Sequence, residues 1–426
     1  MMQRRQFVQT LGAGSAAAGL GLLGGCAAGG SGAKVVVVGG GYGGATAAKY
    51  VRLFSDQGID VTLVEPNAAF VSCPISNLVL QGSKTIADLT TPYTNLQTRH
   101  GVKVVKDMVT RIDVDKRVVQ LASGGALPYD RLIVSPGVDF MWETLPGMAK
   151  DGAKDKVLHA WKAGAQTVAL RKQLEAMPDG GVYALSIPQA PYRCPPGPYE
   201  RACMVANYFK KAKPKSKVVI FDANDDIQSK KGLFMKAWKD HYDGMIDYRP
   251  KHKVTDVDAA TNTLKFEFND DFKATVANVV PSMRAGDLAV KSGLATANQR
   301  WCEVDFLTFE SKAAKNVHVI GDAIQIAPGM PKSGHMANQH GKTCAAAVVA
   351  LLQGKPPLSM PIYANTCYSF VTDEDVVHVA SVHRYDAEKK TMLPVPGAGG
   401  VSVAASELEG RYAHAWARNI WADTLA

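Results

Sequence analysis

The sequence predicts an α/β protein built from two Rossmann-like dinucleotide-binding domains and a small C-terminal domain. Three observations carry this prediction. A valine-rich run, Lys34 to Gly39, leads into a glycine-rich turn and an alanine-rich stretch. A strand ending in Gly321-Asp322 lies far along the chain, and a second strand–helix–strand unit sits between the two.

The valine run is bounded by glycine, the pattern of a parallel strand buried on both faces. Gly39-x-Gly41-x-x-Gly44 follows and opens a helix from Ala45 to Leu53; a second strand, Val61 to Val64, then ends on Glu65. Alone, the three-glycine pattern is weak. Between such a strand and helix, with an acid about 20 residues further on, it becomes a dinucleotide fingerprint. The glycines let backbone approach a pyrophosphate at a helix N-terminus, and Glu65 can accept hydrogen bonds from a ribose.

Asn316 to Ala323 reads as a strand, then Gly321-Asp322, then a polar loop, and Pro331 to His340 would start a helix directed at the same site. Arg131 to Gly137 reads as a strand with the exit turn Ser135-Pro136-Gly137. The first nucleotide domain is therefore expected over residues 34–160 and 281–355, with the second inserted at 161–280. In that second unit, strands at Gly181–Ile187 and Lys217–Asp222 flank a helix from Tyr199 to Lys210. Where a glycine turn belongs, Pro188 to Glu200 holds five prolines. Proline has no N–H to offer a pyrophosphate and fixes φ, so nicotinamide dinucleotide binding is disfavoured. Beyond Pro356 the composition changes, predicting a domain at 356–426 that contains Cys367 and an apolar, aromatic helix around Tyr412, Trp416 and Ile420.

Composition narrows the class. The 426 residues, 46% apolar and 20% charged with 39 glycines, suit a globular enzyme of two or three domains rather than a fibrous or disordered chain. Residues 1–30 read as an export signal: Arg4-Arg5 and Phe7 precede a Gly/Ala-rich segment from Leu11 to Ala28, in the manner of the twin-arginine address. Leu23-Gly24-Gly25-Cys26 also reads as a lipoprotein cleavage site, the one route to membrane attachment. Loss of Arg4 and Arg5 takes two charges from the formal +9 and leaves the chain basic, which suits an acidic partner or anionic substrate. The lysines are dispersed, with no arginine-rich or aromatic-interleaved patch, so nucleic acid is not an expected partner. None of the seven cysteines begins a Cys-x-x-Cys-His haem attachment motif, and no metal site is expected. Cys203, Cys302 and Cys344 lie in packed contexts and read as inert buried thiols.

Cys194-Pro-Pro-Gly-Pro-Tyr-Glu-Arg201, Pro331-Lys-Ser-Gly334 and Asn365-Thr-Cys367-Tyr-Ser369, with His159-Ala-Trp-Lys-Ala-Gly164 and Thr308-Phe-Glu-Ser311, resemble the flavin-binding subunit of flavocytochrome c sulfide dehydrogenase. The resemblance runs over essentially all of the chain after the signal. It implies a glutathione-reductase-like fold, FAD as cofactor, and oxidation of sulfide to zero-valent sulfur or polysulfide. It also implies a separate c-type cytochrome subunit that carries the haem and takes the electrons. Carried over by position, Cys194 and Cys367 match a redox disulfide, Cys73 matches a covalent thioether to FAD, and Glu200 a carboxylate beside the disulfide. Gly39, Gly41, Gly44, Glu65, Gly137, Gly321, Asp322, Lys332 and Ser333 fall at the cofactor. Which cysteine receives sulfide stays open. Two departures stand out: Pro74 follows Cys73, and His335 occupies a position where the family pattern has an aromatic residue. A sulfide:quinone reductase of the same fold and a non-catalytic flavin-containing subunit are the competing expectations.

Overall fold

The computed structural model describes residues 32–426; the signal and Cys26 fall outside the described residues. β1 (Lys34–Val38) carries four consecutive buried valines, because it lies at the centre of its sheet with a parallel neighbour hydrogen-bonded on each side. Gly39 breaks the strand with φ 94°, and α1 (Tyr42–Phe54) starts from Gly41 with its alanines and Val51 against the sheet. β2 (Asp60–Val64), the short α2 (Asn77–Gln81), β3 (Lys103–Val105) and β4 (Arg131–Val134) follow. The strand ends at Val134 and the expected exit turn follows it, with Gly137, at φ 63°, turning the chain out of the sheet.

The second unit holds β5 (Val182–Ile187), α3 (Gly197–Ala212), β6 (Lys217–Asp222), α4 (Lys231–Tyr242), β7 (Ile246–Arg249) and β8 (Val276–Val279). Its sheet is parallel, in the order β7-β6-β5-β8. α3 begins earlier than the expected Tyr199, because Pro198 fits the first turn, where no N–H is required. The chain then returns with β9 (Val317–Val319), which joins the first sheet in the order β9-β4-β1-β2-β3, and with α5 (Gly334–Leu352). α1 and α5 cross so closely that a Cβ on Gly341 would lie 2.6 Å from the Gly43 carbonyl oxygen. That crossing brings the N-termini of both helices to one place.

The C-terminal part holds β10 (Ile362–Phe370), β11 (Val376–Asp386) and β12 (Thr391–Val401), an antiparallel meander absent from the sequence reading, and α6 (Glu407–Leu425). Among the described residues, no helix is long and apolar enough to cross a membrane.

Glycine-to-alanine substitution should separate packing from helix propensity. Gly341→Ala gains about 1 kcal/mol of propensity but forces α5 off the α1 backbone, an overpacking cost of about 1–3 kcal/mol. It should lower the urea midpoint. Gly232→Ala in α4, where nothing lies within 4 Å of the added Cβ, should leave the midpoint unchanged or raise it.

Candidate functional site

A cleft of about 210 Å³ lies where the α1 and α5 N-termini, the α3 N-terminus and β10 meet. Its wall includes Gly41, Gly137, Cys73, Cys194, Glu200, Asp322, Ser333 and Cys367, drawn from all three parts of the fold. Of the other residues assigned to the site from sequence, Gly39, Gly44, Glu65, Gly321 and Lys332 stand behind this wall.

The three glycines of the fingerprint have distinct tasks. A Cβ on Gly39 would meet Ser135 O at 2.3 Å, and one on Gly44 would meet Gly39 O at 1.9 Å, so both are fixed by close packing of the turn. Around Gly41 nothing lies within 4 Å, which leaves the start of α1 open to a ligand phosphate. Glu65 accepts from Gly40 N at 2.6 Å and from Asn67 N at 2.8 Å, placing a carboxylate at the end of β2. Asp322 is half-buried, its Oδ1 shielded from solvent and lacking any partner, and burial raises its pKa. A buried orphan acceptor facing the cleft is what a ligand hydroxyl satisfies. Ser333 caps α5, accepting from Met336 N at 3.0 Å and donating to Asn365 Oδ1 at 2.6 Å. Lys332 does not reach the cleft: its Nζ donates to Asp322 O at 2.8 Å and Ile324 O at 2.6 Å, and its own carbonyl accepts from Cys194 N at 2.8 Å. Burial brings its ammonium pKa down to about 7. The residues present therefore fit an FAD with its pyrophosphate at α1 and its ribityl chain by Asp322.

Cys194 sits in the left-handed region at φ 60°, a conformation that costs a non-glycine residue energy and concentrates at functional sites. Its sulfur is packed so closely against α3 that a Cβ on Gly197 would lie 2.8 Å from it. Burial and the nearby Cys367 and Glu200 push the Cys194 thiol pKa up. Cys367, on β10, has its sulfur 3.4 Å from Asn365 Nδ2, and burial raises its pKa while that contact and Lys230 pull it back down. Both are free thiols in this structure, so the bridge expected between them is not formed here. Cys73 Sγ lies 3.5 Å from both Ala163 N and Arg193 Nη2, so Pro74 has not removed it from the cleft. His335 lines the cleft, accepts from Thr366 N at 3.0 Å through Nδ1, and has its pKa lowered by burial, which keeps the ring neutral. Cys203, Cys302 and Cys344 are buried away from the cleft.

Glu200, in the first turn of α3 and 7% exposed, accepts from Phe370 N at 3.0 Å and from Asn77 Nδ2 at 2.9 Å. Burial raises its pKa and those two bonds oppose the rise. Sequence reasoning missed Arg193, Arg201 and Lys230. Arg201 is 2% exposed and bonds to the carbonyls of His159 and Ala160, to Asn278 and to Asn77. Trp161, inside a motif quoted above, packs on Gly197 and donates to Arg193 O at 3.1 Å.

This fold and site define an FAD-binding flavoprotein with two nucleotide-type domains. Residues 33–177 match the family described as pyridine nucleotide-disulphide oxidoreductase. Residues 167–281 match the central part of the sulfide dehydrogenase [flavocytochrome c] flavoprotein chain, and residues 359–425 match the flavocytochrome c sulphide dehydrogenase flavin-binding family. The sulfide dehydrogenase [flavocytochrome c] flavoprotein chain of Chlorobaculum thiosulfatiphilum is 65% identical over 38 residues, 9% of this chain and 77% of that sequence. The chain belongs to the flavocytochrome c sulfide dehydrogenase flavoprotein family. The mitochondrial sulfide:quinone oxidoreductase of Dictyostelium discoideum is 25% identical over 289 residues, covering 65% of this chain and 62% of that protein. Among solved structures, the sulfide:quinone oxidoreductase of Aquifex aeolicus superposes with a TM-score of 0.75 at 19% identity, covering 92% of this chain and 91% of that one. A NAD-dependent persulfide reductase from A. fulgidus gives 0.62 at 15% identity, covering 92% and 77%. At these identities the likeness is one of fold.

Gly44→Ala tests the nucleotide turn. With its Cβ 1.9 Å from Gly39 O, the turn must open, and the purified variant should carry less than about half the flavin per chain of the wild type, read from its visible spectrum.

Proposed function

We propose that this chain oxidises sulfide to zero-valent sulfur through a Cys194–Cys367 disulfide and FAD, and passes the electrons to a separate c-type cytochrome subunit. The observation that carries this reading is the convergence of Cys194 and Cys367 on one cleft, beside Cys73 and the residues fit for FAD. Two thiols so far apart in sequence come to one cleft wall only through the fold. In this reading the oxidised form is bridged and the reduced form carries two free thiols.

Hydrosulfide attacks one sulfur of the bridge and the other leaves as a thiolate, as in thiol–disulfide exchange. A second hydrosulfide then removes the outer sulfur as HSS⁻. Two hydrosulfides and one disulfide thus give HSS⁻, two cysteine thiolates and one proton. Re-forming the Cys194–Cys367 bridge removes two electrons from the dithiol, an oxidation for which FAD, when bound in this cleft, would be the acceptor. Glu200 holds β10 against α3 through Phe370 N, so that Cys367 stays opposite Cys194, and its raised pKa suits it to hold a proton released in the exchange. Cys73, next to Arg193, is the proposed covalent attachment point of the flavin. An exported protein gains from a cofactor it cannot lose, which fits the twin-arginine signal and a periplasmic location; lipidation at Cys26 would add a membrane anchor.

Cys194→Ser and Cys367→Ser should each abolish flavin bleaching by sulfide in stopped flow, with reduction by dithionite retained. Near-normal sulfide turnover in either variant contradicts the disulfide, and a wild type that sulfide does not bleach would point to a non-catalytic subunit. The likeness to quinone-linked enzymes makes the acceptor a separate test: the reading expects rapid reduction of cytochrome c, whereas turnover with a quinone alone would reassign the partner. On acid precipitation, wild-type protein should stay yellow and Cys73→Ser should release its flavin; free flavin in the wild-type supernatant contradicts covalent attachment.

A further inference from the structure

Lys230 is the N-cap residue of α4, held at φ 55° in the left-handed region, and only 7% exposed. Neither feature suits a lysine, whose charge favours water and whose Cβ disfavours positive φ. Its backbone carbonyl accepts from Leu233 N and Phe234 N at 3.0 Å each, which fixes the turn. The side chain passes the Phe234 ring, with Nζ 5.6 Å from the ring centroid, and enters the β10–β11 hairpin. There it donates to Cys367 O at 3.1 Å, Ser369 Oγ at 2.7 Å and Val377 O at 3.3 Å. All three acceptors are uncharged. A buried ammonium without a bonded carboxylate is costly, and the acidic groups that favour its charge are Cys367 on β10, Glu200 on α3, Cys194 on the preceding loop and Glu409 on α6. Desolvation draws its own pKa down to about 8, and these four groups act in the opposite direction.

We propose that Lys230 is the positioning cation of the redox pair, which makes Cys367 the sulfur that leaves as a thiolate and so directs sulfide to Cys194. The proposal rests on the disulfide reading above. In the step concerned, a bond forms between hydrosulfide sulfur and Cys194 Sγ, the Cys194–Cys367 bond breaks, and its electron pair goes to Cys367 Sγ. The choice of leaving sulfur follows from surroundings. Cys367 has the Asn365 amide at 3.4 Å and bears on its own carbonyl the ammonium of Lys230. Cys194 feels Arg193 and, after it, Lys230, but the guanidinium is engaged with the Trp161 carbonyl and Cys73 and the ammonium is bonded to the backbone of Cys367. A thiol beside a fixed cation is the better leaving group, and the sulfur bonded to it receives the nucleophile. The sign with pH follows: as Lys230 loses its proton above its pKa, the Cys367 thiolate loses its counter-charge.

The test is the acidity of Cys367 itself. Reduced holoprotein of the wild type, Lys230→Met and Lys230→Arg is alkylated anaerobically with iodoacetamide over a range of pH, and modification of the Cys367 peptide is quantified by mass spectrometry. Lys230→Met should move the midpoint up by about one pH unit or more, while Lys230→Arg, which keeps the charge, should stay near the wild type. An unchanged midpoint in Lys230→Met overturns the proposal. So does a structural outcome, in which both variants melt earlier by circular dichroism and neither changes the alkylation profile. Non-reducing peptide maps of the oxidised samples report the bridge separately: a missing bridge removes the disulfide reading, whereas a present bridge with an unmoved midpoint removes only Lys230.

Discussion

The carboxylate of Glu200 ties three stretches of chain that share no sheet: α2 through Asn77, α3 through its own first turn, and β10 through the Phe370 N–H. Arg201, the next residue, ties the 159–160 segment and Asn278 to the same Asn77. Opposite charges buried side by side are each satisfied by neutral partners at normal hydrogen-bond distances. Removing one acceptor here strands a buried donor, at a cost of about 1–3 kcal/mol. The cleft depends on this joint, because Cys194 lies on the loop that leads into α3 and Cys367 lies on β10 three residues from Phe370. If the joint shifts, the two sulfurs separate.

Two non-glycine residues in the left-handed region lie beside this joint. Cys194 and Lys230 both sit at positive φ, and both are anchored by backbone bonds from outside their own turn or helix start: Cys194 N to Lys332 O, and Lys230 through its ammonium to the β10–β11 hairpin. Such conformations persist only where the surroundings over-determine them. The proline-rich loop that stands in place of a nucleotide turn is held by Cys194 N to Lys332 O and by Trp161 Nε1 to Arg193 O, and what it presents to the cleft is a cysteine rather than backbone N–H groups.

The first nucleotide domain was legible in sequence because its signals are local: a valine run, three glycines and an acid at fixed spacing. The β10–β12 meander was not, because its pattern runs against polarity. β10 buries Tyr363 and Asn365 and exposes Ile362, so alternation of apolar residues does not mark it. At the site, cysteines stood out through their motifs, while Lys230 looked like one more of 48 basic residues, followed directly by the exposed Lys231. Only the fold brings it against Cys367. Lys332 shows the converse: its motif was conspicuous, yet its ammonium turns to the Asp322 and Ile324 carbonyls, and its contribution to the cleft is the carbonyl that anchors Cys194.

The central claim is that sulfide reacts at the cysteine pair. It is tested most directly by mixing the oxidised protein with one equivalent of sulfide, quenching with an alkylating agent, and mapping the peptides without reduction. The account predicts a Cys194–Cys367 bridged peptide before mixing, and afterwards its loss together with one additional sulfur atom on one of these two cysteines. A bridge that survives, or an additional sulfur found only on another residue, would contradict it.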